Sequence, residues 1–199
     1  MSKTGNQTVT VKYVDDGIEK TASYQITVNA IELSSIEITS NPTKTTFYVG
    51  DNFSTEGLKV TAHYNNGTSN EVTPTNVTGY DMSKSGQQTI TVTYTQDGIS
   101  KYDTYTITVN AVNLNSIELS GEYKTTYFVG DAFSSEGLKV TAHYNNGTSK
   151  EVSPTSITGY NMNTAGEQTV TVTYKEGTVT KTATYKITVK ALSPTKLTL

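Results

Sequence analysis

An all-β chain, built as a tandem of similar sandwich modules, is what three features of these 199 residues predict. The first is a repeat with a period of about 80 residues: the run from Phe53 to Ser69 returns almost letter for letter from Phe133 to Ser149, His63 returns as His143, and Tyr94 as Tyr174. The second is strict alternation of apolar and polar residues between turns. The third is the regular spacing of Gly-containing turn pairs. A fixed long period marks an array of one unit rather than a single large domain. Period-two alternation marks half-buried strands. No stretch carries helical periodicity.

The array is expected to begin inside a unit. Tyr13 aligns with Tyr94 and Tyr24 with Tyr105, and Met1-Ser2-Lys3-Thr4-Gly5 aligns with Met82-Ser83-Lys84-Ser85-Gly86. Residues 1–30 therefore read as the C-terminal part of a truncated module, 31–111 and 112–191 as whole modules, and 192–199 as the first strand of a following one. Leu197 and Leu199 fall at the places of Ile117 and Leu119. Residues 5–30 supply two strands with Val9, Val11, Tyr13, Tyr24, Ile26 and Val28 on one face. A lone hairpin is marginally stable at best. This one is expected to pack on the neighbouring module or to pair through its open edge with another chain.

Within the first whole module, Leu58, Val60, Ala62 and Tyr64 alternate with Lys59, Thr61 and His63. Ile90, Val92 and Tyr94 alternate with threonines, as do Tyr105, Ile107 and Val109. Asn66-Gly67, Asn146-Gly147, Asp16-Gly17 and Asp97-Gly98 are expected to make type I′ hairpin turns, which need positive φ at both central residues. Glu176-Gly177 starts one residue earlier, so that loop should differ in shape. Gly50-Asp51 and Gly130-Asp131 punctuate the segments before Phe53 and Phe133. About seven short strands per module, with turn signals every 8–12 residues or so, is the pattern of an immunoglobulin-like sandwich. The predicted core is Ile36, Ile38, Phe47, Val49, Phe53, Leu58, Val60, Ala62, Tyr64, Ile90, Val92, Tyr94, Tyr105, Ile107 and Val109. The joint Val109-Asn110-Ala111-Val112-Asn113-Leu114 has none of the Gly, Pro or Ser that a flexible tether needs. A semi-rigid rod is expected, with modules roughly 35–45 Å long if core strands span about ten residues at 3.3 Å each.

Composition narrows the function. A net charge of −3 offers no basic footprint for nucleic acid. No apolar run approaches a membrane span. The lack of cysteine excludes a disulfide framework, a Cys-ligated zinc site and a thiol nucleophile. Tyr (14) outnumbers Phe (4) and Trp is absent; together with the abundance of Thr, this suits strands with one wet face.

The segments Phe47-Tyr48-Val49-Gly50-Asp51, Gly57 to Tyr64, Asn66-Gly67-Thr68 with Glu71-Val72, and Gly86 with Thr89 to Tyr94 occur in this order in the first whole module. Together they resemble the bacterial immunoglobulin-like domain, group 3. The resemblance covers both whole modules and, through its second half, residues 5–30. It implies a β-sandwich found in tandem on bacterial, mostly Gram-positive, surface and secreted proteins, where it spaces, displays or helps to anchor another domain. It brings no catalytic residues with it.

Candidate residues are few. His63 and His143, one per module, point away from the core by alternation, and one His falls short of a zinc site. Asp15, Asp16, Asp51, Glu56, Asp131 and Glu136 lack the shaped multi-oxygen loop calcium needs; Asp51 and Asp131 are expected to bond their own turn backbone. Lys59 and Lys139 are expected to face solvent, which argues against a Lys–Asn crosslink. No nucleophile elbow, triad or phosphate-cradling loop is present. No catalytic residue, cofactor or metal is therefore assigned. Tyr48, Tyr80, Tyr102, Tyr123 and Tyr160 are not fixed in the core by alternation. Tyr80 and Tyr160 follow a Thr-Gly turn in both copies; packing is their first expected role and ligand contact the second. The sequence thus points to an extracellular, non-catalytic spacer or display stalk, with an adhesin or carbohydrate-binding module as the alternative. The expected partners are flanking domains of a longer protein, with a cell-wall or host glycan or protein as a further one, and neither nucleic acid nor membrane.

Overall fold

The computed structural model describes residues 3–193. It divides into two compact units, one up to Asn110 and one from Ala111. Every regular element among the described residues is a strand. The first unit opens with a hairpin, β1 (Gly5–Asp15) and β2 (Ile18–Val28). Seven strands follow: β3 (Leu33–Ser40), β4 (Thr46–Tyr48), β5 (Lys59–Tyr64), β6 (Ser69–Val72), β7 (Asn76–Thr78), β8 (Gly86–Gln96) and β9 (Ile99–Asn110). The second unit repeats the seven as β10 (Leu114–Ser120), β11 (Thr126–Phe128), β12 (Lys139–Tyr144), β13 (Ser149–Val152), β14 (Ser156–Thr158), β15 (Gly166–Glu176) and β16 (Val179–Lys190).

Each set of seven forms two sheets, ordered β3-β5-β6 and β4-β9-β8-β7 in the first unit and β10-β12-β13 and β11-β16-β15-β14 in the second. The short β4 runs parallel to β9, and β11 to β16; the remaining pairs are antiparallel. In the first unit one core joins the inner faces: Leu33, Ile36, Val60 and Ala62 from one sheet meet Phe47, Ile90, Val92, Tyr105, Ile107 and Val109 from the other. The all-β sandwich and its seven strands stand as the alternation predicts. All fifteen expected core residues lie in that cluster or packed on its margin; Leu33, outside the expected set, is also buried. Strand length is less uniform than expected. Only β8, β9 and their counterparts reach eleven or twelve residues, and the other module strands have three to eight.

The turns divide into two kinds. Asp16-Gly17 and Asp97-Gly98 have positive φ at both residues (43° and 76°, 50° and 80°), as a type I′ turn requires. Asn66-Gly67 does not: only Gly67 is positive, at 80°. Gly67 N donates to Tyr64 O (3.0 Å) and Tyr64 N to Thr68 O (2.9 Å), which makes a three-residue turn closed by a left-handed glycine. The reason lies in the side chains. Asn66 Oδ1 accepts from Thr68 N and Oγ1 (3.1 and 2.7 Å), while the Asn65 side chain is engaged elsewhere. Asn146-Gly147 repeats this geometry. Gly177 is positive (57°) and Thr178 is not, so the last hairpin turns differently from its counterpart, as its shifted glycine foretells.

The first hairpin departs from one expectation. It does not pack on the module that follows it: Val11, Tyr13 and Tyr24 are 56%, 65% and 56% exposed. The place such a hairpin would fill is already taken by β8–β9. The expected strand in 192–199 lies almost entirely outside the described residues.

Candidate functional site: a stacked tyrosine and the bonded module entries

Tyr80 is set by the glycine before it. Gly79 has φ +96°, and a Cβ there would lie 2.3 Å from Thr89 O, so β7 ends in a turn that a side chain at 79 would block. This delivers the Tyr80 ring flat onto Phe53, with centroids 4.0 Å apart and planes 10° from parallel. Phe53 in turn lies 6.0 Å from the fully buried Phe47. The second unit repeats the stack: Tyr160 on Phe133 at 3.9 Å and 8°, after Gly159, where a Cβ would lie 2.4 Å from Thr169 O. Each stack contributes about 0.5–1.5 kcal/mol beyond burial. Tyr80 nevertheless remains 46% exposed and Tyr160 39%. Packing is therefore their visible role, and part of each ring stays open to solvent.

Beside this stack Lys44 Nζ sits 4.7 Å from the Phe47 ring centroid and 2.9 Å from Asp51 Oδ2. Asp51 Oδ2 also accepts from Tyr48 N at 3.1 Å, which closes the Gly50-Asp51 turn as expected. The Lys44 bond, then the Tyr48 amide, hold the Asp51 carboxyl below its ordinary range. Asp131 repeats the arrangement with Phe128 N and Lys124 Nζ, the amide leading.

The remaining tyrosines do not gather into a repeated patch. Tyr102 is exposed on β9 and has Thr182 at its counterpart. Tyr48 is half-buried, with Phe128 at its counterpart. Tyr123 meets Tyr185 edge-on at 4.7 Å and has Thr43 at its counterpart. Among the described residues, only the position of Tyr80 and Tyr160 carries an exposed tyrosine in both units.

The sequence reading missed the joints. Asn65, in the β5–β6 turn, accepts at Oδ1 from Glu32 N (3.1 Å) and donates from Nδ2 to Ala30 O (3.0 Å); its own N donates to Glu32 O (3.0 Å). Asn145 does the same to the segment entering β10: Oδ1 accepts from Asn113 N (2.9 Å), Nδ2 donates to Ala111 O (3.0 Å), and its N donates to Asn113 O (3.0 Å). An Asn side chain here imitates a short strand. The visible signal was the doubled Asn65-Asn66 and Asn145-Asn146, of which only the second residue was needed to explain a turn. At the other end of the first module, Asn110 O accepts from Val49 N at 2.9 Å.

The outward faces carry cross-strand pairs. His63 Nε2 lies 3.4 Å from Glu37 Oε2 and His143 Nε2 3.1 Å from Glu118 Oε2. Lys59 and Lys139 face solvent opposite Glu71 and Glu151, at 3.5 and 3.7 Å. Such exposed pairs contribute about 0–1 kcal/mol. No three metal-ligating side chains gather among the described residues. One polar oddity is buried: the hydroxyls of Tyr105 and Tyr185 make no hydrogen bond. Burial, then the neighbouring Tyr127, Tyr123 and Tyr160, push the Tyr185 hydroxyl up to about 12.

Tandem β-sandwiches of this topology define a class of Ig-like modules. The chain matches the bacterial Ig-like domain (group 3) over residues 40–111 and 120–189, and it belongs to that family. It is 37% identical over 133 residues to pectate lyase L of Thermoclostridium stercorarium, across 64% of this chain and 10% of that protein. It is 38% identical over 113 residues to an exo-beta-1,6-galactobiohydrolase of Bifidobacterium longum subsp. longum, across 53% of this chain and 7% of that protein. The chain thus spans a tenth or less of the relatives it matches. Among solved structures it is similar to surface layer protein SbsC, domains 4-9, at 20% identity, 94% of this chain, 35% of that chain and a TM-score of 0.29.

Proposed function

We propose that the chain is a non-catalytic segment of an extracellular bacterial repeat protein, in which its modules act as a semi-rigid spacer or display stalk for flanking domains. The observation that carries this reading is the pair of ties at the joint. Asn110 is bonded back to the first module through Val49, and Ala111 and Asn113 are bonded forward to Asn145. Three residues separate β9 from β10, and two of them are held. A joint with so little free backbone has few conformations to explore. Family membership and the small share of two large enzymes that the chain matches support a role beside other domains.

The cysteine-free sequence makes the test simple. Spin labels at Asn70→Cys and Lys150→Cys, both exposed, report the distance between modules. The expected distribution is narrow. Inserting Gly-Ser-Gly-Ser between Asn110 and Ala111 broadens it, and Asn145→Gly broadens it less. A native distribution as broad as that of the insertion variant contradicts the spacer reading.

A second reading rests on the stacked tyrosines. A ring held flat on Phe53 or Phe133 and still open to solvent is a pre-ordered platform for a sugar ring. A glycan array with residues 31–191 and with its Tyr80→Ala, Tyr160→Ala double variant tests it. Saturable binding lost in the variant establishes an adhesive module; no binding removes this reading.

A further inference from the structure

The face that β1–β2 leaves uncovered has an identified complement in the same molecule. β1–β2 matches β8–β9 pair for pair: Val9↔Tyr24 corresponds to Ile90↔Tyr105, Gln7↔Ile26 to Gln88↔Ile107, and Gly5↔Val28 to Gly86↔Val109. Both hairpins turn on Asp-Gly with the same signs of φ. Gln7 Nε2 donates to Lys3 O just as Gln88 Nε2 donates to Lys84 O. In the complete module Gln88 also grips Asp81, accepting from its N (2.6 Å) and donating to its O (2.7 Å). On β8–β9 the apolar face is covered by β3 and β5, through Leu33, Ile36, Val60 and Ala62. The outer edge of β9 receives β4 in parallel, and the outer edge of β8 receives β7 antiparallel, with Val77 opposite Val92.

We propose that the β1–β2 face is a docking surface for the first five strands of a module of this chain's own kind, a polypeptide patterned like residues 33–78. The register fixes how it docks. A β4-like strand lies parallel to β2 with its first residue opposite Thr27, the counterpart of Thr108. A β7-like strand lies antiparallel to β1 with its central valine opposite Val11, the counterpart of Val92. The β3- and β5-like strands cover Val9, Val11, Tyr24 and Ile26. The occupant follows from the geometry: a face that repeats β8–β9 in register and alternation is complementary to what covers β8–β9. A second copy of the same hairpin would oppose like to like, with no β4- or β7-type strand for either edge.

The test places residues 31–81 ahead of Met1 in the full chain, so that Asp81 precedes Met1 as it precedes Met82 in the complete module. Amide hydrogen exchange is followed in this fusion and in the native chain. The expected result is slowing by about 100-fold or more across residues 7–28 in the fusion, as for a segment moving from local opening to cooperative protection. Val11→Lys in the fusion is expected to remove that protection while residues 33–110 keep theirs. A hairpin that exchanges equally fast in both chains overturns the proposal, whether or not the added segment is itself protected. Protection of residues 7–28 in the native chain that rises with its concentration while residues 33–110 keep theirs also overturns it, because a second hairpin and not the first five strands of a module then covers the face.

Discussion

The hairpins β1–β2 and β8–β9 share register, turn and alternation, yet one is bare and the other lies at the centre of a core. Tyr24 is 56% exposed and its counterpart Tyr105 7%; Ile90 and Val92 are fully buried, whereas Val11 is 56% exposed. Full burial of each large apolar side chain is worth about 1.5–3 kcal/mol. The hairpin therefore supplies hydrogen-bond order, and the five strands before β8 supply stability. The unit of this protein is the seven-strand module, and a strand pair with the same pattern does not substitute for it.

The largest effect that would break the comparison is a core truncation. Ile90→Ala is expected to cost the first module about 2–5 kcal/mol. Val9→Ala, at the matching place on β1, is expected to stay within about 0.5 kcal/mol. Denaturant melts of the two variants, read by exchange of the module amides, check this. Equal losses would mean that the first hairpin is part of a core after all.

Glycines give the next contrast. Gly79→Ala combines a positive φ with backbone 2.3 Å from the new Cβ, whereas Gly67→Ala has the positive φ and open space. A loss of roughly 1–2 kcal/mol is expected for Gly67→Ala from the left-handed backbone alone, and a clearly larger one for Gly79→Ala, measured as the shift of the urea midpoint.

Alkaline pH singles out Tyr185, whose hydroxyl is buried. Tyr185 is raised from an ordinary value near 10 to about 12, so the folded state disfavours its ionised form. The stability it contributes is present below pH 10 and is lost as pH rises through 12. Tyr185→Phe is expected to remove this alkaline loss from the second unit. At neutral pH the same change is expected to be neutral or stabilising by up to about 1 kcal/mol, since the hydroxyl it deletes is buried without a partner.

The smallest effect is at acid pH. The carboxyls of Asp51 and Asp131 are held below their ordinary value, so their contribution is present above the unfolded value and is lost as pH falls through the folded one. Asp51→Asn with Asp131→Asn should flatten the acid limb of a stability–pH curve slightly.

Much of the fold was legible because strand alternation and the long period are properties of residue order. The core of β5, β8 and β9 and the outward lysines follow from period two alone. What escaped depended on where side-chain amides point. Asn65 and Asn66 look equivalent in sequence, yet one holds the joint and the other caps Thr68. That division also explains why Asn66-Gly67 does not form the tighter turn its dipeptide favours. The stack of Tyr80 on Phe53 was half legible: Thr-Gly before Tyr80 signalled a constrained turn and Phe53 was expected in the core, but Phe53 lies in the loop between β4 and β5, where no periodicity pairs its ring with Tyr80.

The most direct test of the spacer account is residue-resolved amide exchange at Asn113. Its amide is bonded only through the Asn145 side chain in an otherwise exposed joint. The account predicts that Asn113 is protected together with the strands of the second module and becomes fast in Asn145→Ala. Exchange of Asn113 at the rate of a free peptide in the native chain, with β12 and β15 still protected, would show that the joint is loose and would contradict the account.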